Sequence, residues 1–121
     1  MADVFPVKSP SGNIECSVGI ERNHADIYCT IHNKSGTPPR ARPAGCEGPW
    51  GHHFSMLQRG PVTMECGGPG KKNTAPGVWA IPYGTTERFG DITCTSKRTG
   101  FECRNGDGHG FFLSRRKQTA F

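Results

Sequence analysis

Six cysteines along 121 residues narrow the folds open to this chain. Five have an apolar residue two positions earlier: Ile14 before Cys16, Ile27 before Cys29, Met64 before Cys66, Ile92 before Cys94 and Phe101 before Cys103. Cys46, preceded by Ala44, carries the weakest signal. A spacing of two keeps both side chains on one face of a β-strand. The cysteines therefore read as inward-facing strand residues that can be tied together in pairs. Zinc sites bring close pairs of ligands around one small ion. Here the gaps are long and no C-x-x-C occurs, so disulfides are the better reading and no metal site is expected.

The composition explains why such staples are needed. Apolar residues make up 33% of the chain, beside 17 Gly and 10 Pro. A domain with so thin a core commonly relies on covalent links. An even number of cysteines in a short chain implies an oxidising compartment. Met1-Ala2-Asp3 leads straight into Val4-Phe5, with no basic start and no apolar run of export-leader type. No stretch is apolar enough for a transmembrane helix. The expectation is a secreted or extracytoplasmic protein in mature form, its export signal removed.

Helical periodicity is missing, and short β-like runs bounded by turn residues recur. Val4–Val7 reads as a first strand, followed by turn chemistry at Ser9-Pro10-Ser11-Gly12-Asn13. Ile14–Val18 and Asp26–Ile31 form a hairpin; His53–Gln58 and Val62–Cys66 form a second around Arg59-Gly60-Pro61; Asp91–Thr95 and Gly100–Arg104 form a third. Val78–Ile81 is a further strand and Gly110–Ser114 the last clear one. Asn33–Gly48 is irregular and Gly67–Gly77 a long flexible loop. The fold class is all-β: one domain over residues 1–121, a small antiparallel sandwich or open barrel built from hairpins.

Six cysteines allow fifteen pairings. Opposed strand residues bring their Cβ atoms to bridging distance. Hairpin geometry therefore favours Cys16–Cys29 and Cys94–Cys103, which leaves Cys46–Cys66.

The net charge is +5, and it is unevenly placed. Between Lys97 and Lys117 the bases Lys97, Arg98, Arg104, Arg115, Arg116 and Lys117 face only Glu102 and Asp107. A positive end attracts anionic surfaces, although bases on solvated strands also serve solubility. Phe111 and Phe112 are adjacent, so on a strand one ring points in and the other out. An outward Phe112 near Arg115 and Arg116 would make a contact patch.

The opening Phe5-x-x-x-Ser9-Pro10-Ser11-Gly12-Asn13-Ile14-x-Cys16 and the close Gly108-His109-Gly110-Phe111-x-Leu113-Ser114-Arg115 resemble a family of small secreted or envelope-attached actinobacterial proteins. Pro82-Tyr83-Gly84 and the Cys94 to Cys103 hairpin fit it too. The resemblance covers nearly the whole chain and implies export and fold. It implies no mechanism, because the family has no assigned activity. Its members often carry an Asp-Thr pair shortly after the fourth cysteine, where this chain has Gly67-Gly68-Pro69-Gly70-Lys71-Lys72.

Catalytic readings find little support. His52 and His53 would face opposite sides of a strand and cannot easily share an ion. Asn105-Gly106-Asp107-Gly108-His109-Gly110 alternates ligand-type residues, but the twelfth position of an EF-hand-type loop would be Arg116. A tight turn into the Phe111 strand is the better reading. Lys71-Lys72 after glycines fails the phosphate-loop pattern, with Glu65 at the first Gly position and Lys72 at the Ser/Thr position. A small hydrolase or nuclease could draw on His53, Glu65, Arg98 and His109, yet their spacing does not bring them together.

The expected function is therefore non-catalytic: an extracellular module, without cofactor, that binds an acidic envelope polymer or protein. The expected surface is Phe112, Arg115, Arg116 and Lys117, with Lys97 and Arg98 on the neighbouring hairpin. Nucleic acid has no support beyond net charge. The alternatives are an inhibitor of a secreted enzyme, presenting Asn33–Gly45 or Gly67–Gly77 as a rigid loop, and a small secreted hydrolase or nuclease.

Overall fold

The computed structural model describes residues 3–121; Met1 and Ala2, where the leader-free start was read, lie outside them. Alternating inward apolar residues, bounded by turns, produce eleven strands and no helix among the described residues. They are β1 (Asp3–Lys8), β2 (Ile14–Glu21), β3 (His24–Ile31), β4 (His53–Leu57), β5 (Thr63–Glu65), β6 (Trp79–Ala80), β7 (Thr86–Phe89), β8 (Ile92–Lys97), β9 (Gly100–Arg104), β10 (Gly110–Leu113) and β11 (Gln118–Ala120). One sheet has the order β5-β4-β3-β2-β1-β6, antiparallel except where β6 runs parallel to β1. The other has the order β11-β10-β9-β8-β7 and is antiparallel throughout. The two form a sandwich.

Period-two patterning builds the core. On β3, Ala25, Ile27, Cys29 and Ile31 are buried while the residues between them are not. Val7, Ile14, Val18, Phe54 and Met56 join them from the same sheet, and Ile92, Phe101, Phe111 and Leu113 answer from the other. Ring pairs cross between the layers, Phe54 with Phe111 at 5.8 Å and Phe5 with Phe89 at 5.6 Å between centroids. Burial of a Phe side chain contributes on the order of 2 kcal/mol.

All three expected disulfides are present: Cys16–Cys29, Cys46–Cys66 and Cys94–Cys103. Cys16 opposes Cys29 directly across β2 and β3, and Cys94 opposes Cys103 across β8 and β9. Their Cα separations of 4.0 and 4.1 Å belong to the closely spaced class of opposed antiparallel residues. One bridge therefore lies in the inner face of each sheet. The third behaves differently. β5 ends at Glu65, so Cys66 leaves the ladder and is exposed, although Met64 two residues earlier packs on the core. It reaches across a Cα separation of 5.6 Å to Cys46 and ties down the irregular segment after β3.

The first hairpin is longer than Ile14–Val18 and Asp26–Ile31. Its strands continue to a two-residue turn, Arg22-Asn23, where Asn23 takes φ 60°. Asn tolerates that left-handed conformation better than most residues. Two strands were not anticipated, β7 and β11. The chain does not end its pairing at Gly110–Ser114, because Ser114 turns it back. Ser114 N donates to Lys117 O at 2.8 Å and Ser114 Oγ to the same oxygen at 3.0 Å. Gln118 is buried, and its Nε2 donates to Ser114 O at 2.8 Å and Ser35 O at 3.2 Å. A buried glutamine inverts the hydropathy signal that marks a strand.

The Asn105–Gly110 turn also clamps the two sheets. Buried Asn105 accepts from Asp107 N and His109 N through Oδ1, at 3.0 and 3.1 Å. Its Nδ2 donates across the sandwich to Gly60 O at 2.8 Å and Leu57 O at 3.1 Å. Asp107 accepts from Gly60 N at 2.8 Å, and that bond, with Arg59 beside it, holds its carboxyl below the usual range.

Candidate functional site

The four residues considered for hydrolysis do not converge. His53 pairs with Glu65 across β4 and β5. Arg98 lies in the β8–β9 turn, and His109 lies beyond the far end of β9. His53 is fully engaged, its Nδ1 with Thr30 Oγ1 at 2.9 Å and its Nε2 with Gly68 O at 2.8 Å. His52 turns elsewhere and bonds Ile31 O through Nδ1 at 2.7 Å. Glu65 accepts from Tyr28 OH at 3.4 Å; burial first, then the Glu65 carboxylate, hold that phenol above its ordinary range.

The Gly67–Gly77 segment forms no strand, but it is fastened to the sheet. Gly67 N donates to Pro49 O at 2.8 Å, and Asn73 N donates to Glu15 Oε2 at 2.7 Å. Glu15 Oε1 meanwhile accepts from His32 Nε2, whose side chain is 7% exposed. Between this strap and β1–β3 lies a cleft of about 210 Å³, lined by Tyr28, Thr30, His32 and Lys71 among others. Replacing Glu15 by Ala strands a buried imidazole and frees Asn73. We expect a loss of about 1–3 kcal/mol in urea unfolding and faster tryptic cleavage at Lys71-Lys72. Wild-type cleavage kinetics in E15A would rule out the fastening role.

Four basic residues do converge, at the end of the sandwich where turns from both sheets meet. A cleft of about 330 Å³ is bordered by the β1–β2 turn, the β8–β9 turn, the end of β10 and the chain leaving β3. Lys72, Lys97, Arg98 and Arg115 line it, and no Asp or Glu does. The local chemistry that builds each wall is specific. Ser9 Oγ caps its turn by accepting from Ile14 N at 3.2 Å. The Asn13 side chain imitates a further rung of the β2–β3 ladder, accepting from Asn33 N at 2.7 Å and donating to Asn33 O at 3.0 Å. Arg98 lies over the Tyr83 ring, 4.9 Å from its centroid, which orients the guanidinium. Ser35 N holds Arg115 O at 2.7 Å and so ties the Arg115 turn to the segment after β3.

Five of the ten acids of the chain are paired away from this cleft. Asp91 and Asp107 pair with Arg59, Asp91 with Arg88, Glu102 with Arg104, Glu15 with His32 and Asp26 with His24. Among the described residues, none of Lys72, Lys97, Arg98 and Arg115 has a carboxylate within ion-pairing distance. Like charges held together without counterions raise the local potential for anions.

A family model described as a family of unknown function, DUF6636, matches residues 1–121. The chain belongs to that family. No curated protein and no solved structure matches it.

Of the six residues expected to form this member's contact surface, Lys97, Arg98 and Arg115 line the cleft. Arg116 and Lys117 are exposed at the tip of the β10–β11 turn and are not among its lining residues. Phe112 is half-buried, and its ring lies against Gly100: a Cβ built there would meet Phe112 Cζ at 2.3 Å. It is not among the cleft's lining residues. Sequence reasoning did not find Lys72, Tyr83, Asn13 or Asn33. Lys72 stood out only as part of a basic loop, and nothing local shows that the loop comes back to the β8–β9 turn. Among the described residues no group of three His, Cys, Asp or Glu side chains is placed to hold a metal ion, and no helix is long and apolar enough to cross a membrane.

Proposed function

We propose that this protein is a non-catalytic, extracytoplasmic module that binds an acidic partner at the cell envelope through the cleft of Lys72, Lys97, Arg98 and Arg115. One observation carries the reading: four cations share a cleft of about 330 Å³ with no carboxylate on its walls. Two features support an oxidising address, the three disulfides and the absence of free cysteine among the described residues. The rigidity of the site supports binding. Its walls are pinned by backbone pairing, by the Asn13–Asn33 exchange and by Arg98 on Tyr83, so little order is lost when a ligand docks.

Titration calorimetry with polyglutamate and with polyphosphate tests the reading. Each charge-assisted hydrogen bond to the ligand contributes about 1.5–3 kcal/mol. Arg98→Gln with Arg115→Gln should therefore weaken binding by about 100-fold or more. Arg116→Gln with Lys117→Gln removes the same charge outside the cleft and should cost far less. Wild-type affinity should fall as salt rises, because the cleft is open to solvent. Equal losses in the two double variants would reduce the effect to bulk charge and defeat the assignment to the cleft.

A further inference from the structure

The basic cleft does not end at Arg115. A second depression of about 370 Å³ adjoins it, lined by His32, Asn33, Lys34, Ser35, His52 and Arg115. Asn33 and Arg115 border both depressions. They form a saddle, with Lys72, Lys97 and Arg98 on one side and Lys34 on the other. No Asp or Glu lines the second depression either, and Lys34 has no ion pair among the described residues.

Size and chemistry select the ligand. Each depression is an order of magnitude larger than the share of one water in the liquid, about 30 Å³, so a lone oxyanion would leave most of either side as solvent. Two basic depressions joined over a saddle suit a chain that carries anionic groups at intervals. The walls between the cations are polar rather than aromatic: Ser9, Ser11, Thr99 and Ser114 contribute hydroxyls, and Asn13 and Asn33 contribute amides. Single-stranded nucleic acid is held by stacking on aromatic faces as well as by charge. In the first depression the one phenol ring, Tyr83, is already covered by Arg98, and in the second the imidazoles of His32 and His52 are engaged by Glu15 and by Ile31 O.

We infer that the ligand is a linear polyanion with a hydroxylated repeat, an acidic glycan or a polyol phosphate, that runs from the Arg98 cleft across Asn33 and Arg115 to Lys34. This inference rests on the proposed anion-binding role of the first cleft and adds the ligand's shape, its repeat chemistry and the Lys34 subsite. A chain that engages both depressions gains affinity over a short one, because its second contact is intramolecular.

Calorimetry with galacturonate oligomers and glycerol-phosphate oligomers, each of about two and about eight units, tests it. In at least one series the long chain should bind at least about tenfold tighter than the short one. The tighter series tells carboxylate from phosphate repeats. Lys34→Gln should weaken the long chain by about 3- to 10-fold and leave the short one unchanged, whereas Arg98→Gln should weaken both. Equal binding of short and long chains, or a long chain indifferent to Lys34→Gln, overturns the inference; the first cleft's role then stands if Arg98→Gln still acts. If neither series binds at either length, the inference falls, and the first cleft's role is then decided by polyglutamate and polyphosphate alone.

Discussion

With Cys16, Cys29, Cys94 and Cys103 all replaced by Ala, the chain is expected to be unfolded at 37 °C. In the chain-entropy model, closing the 13- and 9-residue separations between these partners stabilises the fold by about 3 kcal/mol each. The total stability of a domain is about 5–15 kcal/mol. The loss is compounded by position. Cys29, Cys94 and Cys103 are fully buried and Cys16 nearly so, so the substitutions also remove sulfur from the packed layer between the sheets. Near-ultraviolet circular dichroism and urea unfolding read the result, and a cooperative transition close to wild type would refute it. The third bridge should respond differently. Cys66 is exposed where the core sulfurs are not. Under native conditions a mild reductant should open Cys46–Cys66 first, and alkylation with peptide mapping should find label at those two positions alone. Label at Cys94 or Cys103 before Cys66 would contradict the burial argument.

Gly110→Ala is expected to cost about 3 kcal/mol, the upper end for overpacking. A Cβ at Gly110 would lie 2.1 Å from Cys103 O and 3.0 Å from Arg104 Cα. Both are backbone atoms of β9, and neither can swing aside as a side chain could. Gly110 also exchanges two hydrogen bonds with Phe121, of 3.0 and 2.9 Å, which close the β11 edge. Any shift that relieves the clash pulls β10 from β9 beside the Cys94–Cys103 bridge. Gly45→Ala is the control, since a Cβ there has nothing within 4 Å. It should leave the urea midpoint within a few tenths of a molar of wild type, with m unchanged. Comparable losses in the two variants would show that chain flexibility, and not strand approach, sets the effect.

The strands that could be read in advance are those in which one face is apolar and the other is not. Ile14-x-Cys16-x-Val18 and Ala25-x-Ile27-x-Cys29-x-Ile31 announce their buried faces directly. β7 and β11 do not. Thr86–Phe89 buries only Phe89, and Gln118–Ala120 buries a polar side chain whose Nε2 is hydrogen-bonded to the turn beside it. The cysteine spacing failed at Met64-x-Cys66 for a related reason, because β5 stops at Glu65 and the rule of alternation stops with it. At the candidate site, the clustering of bases in the last quarter of the chain was visible, and Lys97, Arg98 and Arg115 do meet. Arg116 and Lys117 are as basic and as close in sequence, yet the Ser114 turn carries them past the cleft.

Sequence alone determined the all-β class and the basic tail and favoured the three bridges, because alternation, charge and hairpin opposition are local properties that a chain displays before it folds. Only the tertiary structure decided which bases share a cleft. Lys72 comes to the β8–β9 turn and Lys34 to the Arg115 turn through contacts distant in sequence, Asn73 on Glu15 across 58 positions and Ser35 on Arg115 across 80. Such contacts depend on how two sheets stack and where their loops are fastened, and no short window of residues encodes that.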